Sequence, residues 1–85
     1  MNAPPLDEVS PAPDAKREFW LNDAYAELHV AIRYAETAQL QAEVDDVGGI
    51  RRAVERLIAH VKLTAWAVKK IEELDAEAAA ESRAA

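Results

Sequence analysis

Cysteine is absent from these 85 residues, and glycine occurs only twice, at Gly48 and Gly49. Without cysteine there is no disulfide framework, no thiolate metal site and no cysteine nucleophile. Proline is confined to the first thirteen positions, at Pro4, Pro5, Pro11 and Pro13, so from Asp14 onward only the glycine pair interrupts helix formation. Strand signals, short alternating β-branched and aromatic runs bounded by turn residues, are missing. Long apolar runs are missing too. Beyond residue 13 no uncharged run exceeds six residues, as in Thr37–Ala42, against the ~20 that a membrane-spanning helix needs. The first residues lack the basic region and apolar core of a secretory signal, which makes the cytoplasm the expected location. Positive charge is in deficit: the formal net charge is −6, a poor basis for coating nucleic acid or an anionic membrane.

What remains is dominated by alanine. Of the 43 apolar residues 19 are alanine, leaving 24 larger ones. Alanine is the best helix former, and the length allows a single small domain, so the composition predicts an all-α chain. Residues 1–13, proline-rich and acidic, read as a loosely attached N-terminal arm. Residues 14–74 read as a helical hairpin. Helix 1 is expected over about 15–44, capped by Asp14, with a heptad series Leu21, Leu28, Ala35 and Ala42 and a partner series Ala24, Ala31 and Ala38, flanked by Tyr25 and Ile32. The turn is expected over 45–49, where glycine supplies a positive φ and Asp46 caps the next helix. Helix 2 is expected over about 50–74, with a stripe of Val54, Leu57, Ile58, Val61, Ala65, Val68 and Ile71. Residues 75–85 carry no large apolar side chain and are expected to fray as an acidic, alanine-rich tail.

Both helices carry a second apolar set: Val30, Tyr34, Leu40 and Val44 on the first, Leu63, Trp66, Ala67 and Leu74 on the second. One antiparallel neighbour cannot cover two faces, and chains this small are marginal when large side chains stay wet. The sequence therefore predicts a homodimer that closes into a four-helix bundle. Charge segregation suits an antiparallel pair: residues 15–46 carry a net −4 and residues 50–71 a net +5. Such pairs fix orientation more than they stabilise.

Catalytic constellations are missing. His29 and His60 lack the ExxH or HExxH spacing of a metal site, and Glu27 and Glu55 do not share a local face with them. The hydroxyls Ser10, Thr37, Thr64 and Ser82 lie in no nucleophile-elbow pattern, and Gly48-Gly49 is too short for a phosphate loop. No catalytic residue, metal ligand or cofactor is expected, and the chain is not read as an enzyme. It is read as a self-associating protein-binding module, an adaptor or regulator. Self-association is assigned to Leu28, Ile32, Leu57, Ile58, Val61 and Trp66; contact with another protein is assigned to Phe19, Trp20 and the acidic turn residues Glu43, Asp45 and Asp46. Two alternatives stand beside it: an inhibitor of the kind found on mobile elements, blocking another protein through that acidic or aromatic surface, and a binder of RNA or a small anion through Arg52, Arg56, Lys62 and Lys69 on the basic helix, although nucleic acid fits the overall charge poorly.

Overall fold

Two helices joined by a three-residue link make up the whole of the described chain. The structure is a computed structural model that describes residues 13–84. Helix α1 spans Pro13–Glu43 and helix α2 spans Val47–Ala84, packed antiparallel as a hairpin. The arm expected over 1–13 lies outside the described residues except for Pro13, which opens α1. Asp14, expected as the cap, sits inside the first turn, where its charge complements the helix dipole. Helix α2 runs ten residues past the expected end at Leu74. The segment expected to fray is continuous with it, because an alanine-rich sequence propagates a helix already nucleated upstream.

The turn is built differently from the expectation. Neither glycine has a positive φ; Asp45 takes the left-handed conformation instead, with φ 56°. Around it the Asp45 N–H donates to the Ala42 carbonyl (3.1 Å) and the Asp46 N–H to the Gln41 carbonyl (2.9 Å). These two bonds make a Schellman motif with an aspartate where glycine is usual. Asp46 then caps α2 as expected: its Oδ1 accepts the Gly49 N–H at 2.9 Å. Both glycines lie in the first turn of α2. Gly49 is buried, and the ends of the Gln41 and Asp46 side chains fill the space where a Cβ would stand.

The seam between the helices is made of small side chains. The buried apolar residues are Ala24, Ala31, Ala53, Ala67 and Ile71. Val30, Tyr34, Val54 and Leu57 border them, half-buried. This rotates both helices from the expected register. Leu21, Leu28 and Ala42 of the heptad series, and Ile58, Val61, Ala65 and Val68 of the α2 stripe, are exposed beside the seam rather than within it. Val30, Tyr34 and Ala67, expected on a second face, are drawn into the contact. Alanine brings the two backbones together, and residues with longer side chains are displaced to the flanks. The radius of gyration is 19.1 Å, against about 12 Å for a compact domain of this length.

Replacing Asp45 by glycine removes the strain of a side chain in the left-handed region. Asp45→Gly is expected to raise stability by about 0.5–1 kcal/mol, and Asp46→Ala to lower it by about 1 kcal/mol through loss of the cap. Urea denaturation of the three proteins, followed by circular dichroism, reads both changes as opposite shifts of the midpoint.

Candidate interaction surfaces

At about 100° per residue, the positions three before and four after a seam alanine fall on one side of the helix, and those four before and three after on the other. On one side of Ala31 lie Leu28, Ile32, Tyr25 and Leu21; on the same side of Ala53 in the antiparallel partner lie Leu57, Ile58, Val61, Ala65 and Val68. The register puts Leu21 level with Val68, Tyr25 with Ala65, Leu28 with Val61 and Ile32 with Ile58. That register is set by the pairing of Glu27 with His60 and of Arg17 with Asp75. The result is one continuous apolar flank about 17 Å long. It is wet: Tyr25 is 75% exposed, Ile32 58%, Leu28 46% and Val61 48%.

The other flank is polar and basic. Tyr34, Thr37 and Gln41 of α1 and Arg52, Ala53 and Arg56 of α2 line a groove near the turn. The Arg56 guanidinium sits 6.0 Å from the centre of the Tyr34 ring. Tyr34 in turn stacks on His60, with centroids 5.6 Å apart and planes 21° apart. His60 Nδ1 lies 2.8 Å from Glu27 Oε2 in a contact largely shielded from solvent. Neighbour spacing along the chain could not reveal this cluster, since Glu27 and His60 are 33 residues apart. Folding the sequence about the Asp45-Asp46 turn places them at one level, and that was the signal available.

The self-association residues divide. Leu28, Ile32, Leu57, Ile58 and Val61 share the apolar flank, with Leu57 half-buried at its inner edge. Trp66 does not join them. It lies on another face of α2, half exposed, with the Lys70 ammonium 4.3 Å and that of Lys69 5.8 Å from its ring centre. The partner-binding residues also divide. Phe19 and Trp20 pack edge to face, 5.0 Å apart, near the open end of the hairpin. Glu43, Asp45 and Asp46 are at the turn, about 35 Å away along α1, so the two groups cannot form one patch. Of the four basic residues, Arg52 and Arg56 line the groove, whereas Lys62 and Lys69 lie on the outer face of α2 and are exposed.

Among the described residues no group of three or more His, Asp or Glu side chains is placed to hold a metal ion. No helix among them is long and apolar enough to cross a membrane. No family model matches the chain, and no curated protein or solved structure is significantly similar to it. Its surfaces must be read from their own chemistry.

Near the open end the Arg17 Nε–H donates to Asp75 Oδ1 at 2.9 Å, and Nη2 to Oδ2 at 3.3 Å. That hydrogen bonding holds the Asp75 carboxyl below the usual carboxylate range; partial desolvation opposes it and the guanidinium charge adds to it. A depressed folded-state pKa contributes stability above the unfolded value, about 3.9, and loses it as pH falls through the folded one. Asp75→Asn is therefore expected to lower Tm at pH 7 but to match the wild type at pH 2. Thermal melts at both pH values check this, and added salt should shrink the pH 7 difference, because the pair is exposed.

Proposed function

We propose that this chain is a non-enzymatic, protein-binding helical module that works as a homodimer. The apolar flank of one hairpin closes on the same flank of a second copy, and the product is a four-helix bundle. One observation carries this reading: the seam hides mainly alanine methyl groups, while Leu21, Tyr25, Leu28, Ile32, Ile58, Val61 and Val68 stay exposed along a single flank. Completing the burial of a large apolar side chain stabilises by roughly 1.5–3 kcal/mol when it starts fully exposed. Half that gain at each of these positions, counted on two copies, is comparable with the whole stability of a small domain. A two-fold axis makes the flank self-complementary and needs no second protein to explain it. In such a dimer the exposed Phe19, seated against Trp20 at the open end, stays outside the bundle. We assign that end to a further protein partner, in an adaptor or regulatory role.

Light scattering coupled to size exclusion tests the assembly. The expected mass is twice the 9.4 kDa chain. Ile32→Glu combined with Val61→Glu places like charges in the interface and is expected to yield a monomer of lower Tm. Trp66→Ala, away from the flank, should leave the dimer intact. A wild-type protein that remains monomeric at high micromolar concentration overturns the reading.

A further inference from the structure

We propose that the groove on the flank opposite the dimer face binds the phosphoryl group of a small molecule. Arg52 and Arg56 are one helical turn apart on α2 and line the same edge of that groove. Among the described residues neither lies within ion-pair distance of a carboxylate, whereas Arg17, His60 and Lys70 each do. Helix α1, although acidic overall, presents no acid here. Its residues in the groove are Tyr34, Thr37 and Gln41, while Glu36 and Glu43 lie roughly 160–180° round the helix from Tyr34. The one acid beside the groove is Asp46, whose carboxylate caps α2 at the Gly49 N–H and lies near Arg52 without forming an ion pair with it. Glu55, the other acid nearby on α2, is exposed and makes no ion pair with either arginine. Two arginines against the one carboxylate of Asp46 leave the groove with an excess of positive charge on a chain of net charge −6.

Its donors suit a tetrahedral dianion. Two guanidinium forks offer in-plane pairs of N–H groups that match phosphate oxygens, and the Gln41 amide and Tyr34 hydroxyl add neutral donors. Thr37 adds no donor, because its hydroxyl already donates to the Arg33 carbonyl at 3.0 Å. A lone carboxylate would satisfy one fork and leave the other unmatched. The groove is open to solvent and holds about 160 Å³, room for a phosphoryl group, while the net charge of −6 disfavours a polyanion. Because the groove lies away from the apolar flank, the proposal holds whether the protein is a monomer or a dimer.

The test is an NMR titration of the full chain with sodium pyrophosphate and, separately, AMP, both at constant ionic strength. The expected result is a saturable shift of the Arg52 and Arg56 Nε–H signals and of the Tyr34 ring. Arg52→Gln and Arg56→Gln should each weaken binding at least tenfold, and Arg56→Lys should also weaken it because the fork is lost while the charge is kept. Lys62→Gln with Lys69→Gln should change affinity by less than twofold. Circular dichroism verifies that every variant remains helical. Tighter binding of AMP than of pyrophosphate supports the proposal and places the adenosine ring against Tyr34; equal affinity supports it with the phosphoryl group alone recognised. Absence of saturation, equal weakening in the outer-face lysine variant, or a response to a short RNA but to neither small molecule would each overturn it.

Discussion

The contact on which the rest of this structure depends is the close approach of two backbones across alanine. Ala24, Ala31, Ala53 and Ala67 are buried, as is Gly49, over which the Gln41 and Asp46 side chains fold. A seam of methyl groups draws the helices together but removes little apolar area from water. Apart from the buried Ile71, the longer side chains are displaced toward the flanks, and the character of each flank follows from the sequence on either side of the alanines. On one flank the displaced residues are leucine, isoleucine, valine and tyrosine; on the other they are arginine, glutamine, threonine and a second tyrosine.

A seam of near-identical small residues specifies register weakly, since Ala24 and Ala31 are seven residues apart and a slip of two turns replaces one with the other. Polar groups supply the missing information. The Schellman turn and the Asp46 cap fix one end, Glu27 with His60 fixes the middle, and Arg17 with Asp75 fixes the far end. Each interaction is modest when taken singly. Their spacing along the hairpin is what matters: a slip of one turn would break all of them at once and leave the shielded Glu27 carboxylate without its imidazole partner.

The two-helix architecture was legible in the sequence, because proline stops at residue 13 and the glycine pair is the single interruption afterwards. The capping role of Asp46 was legible for the same local reason. The helix faces were not. A heptad reading ranks Leu21 and Leu28 above Ala24 and Ala31 as core residues, since it scores hydrophobicity, whereas an isolated pair of helices gains more from close backbone approach. The positive φ was misplaced for a related reason: glycine is the usual occupant, but an aspartate tolerates the left-handed region well enough to leave both glycines inside α2. The groove residues Arg52 and Arg56 could be named from the sequence as a basic pair. Their separation from Lys62 and Lys69, and the turning away of Glu36 and Glu43 from them, required the three-dimensional register.

A hairpin has two unlike poles. Helix α1 begins and α2 ends at one of them, the pole that carries Phe19 and Trp20. The opposite pole carries only the Asp45-Asp46 turn, with the arginine groove just behind it. The two poles are thus distinct surfaces, roughly eight helical turns of α1 apart, and a body seated on Phe19 and Trp20 at one leaves the turn at the other uncovered.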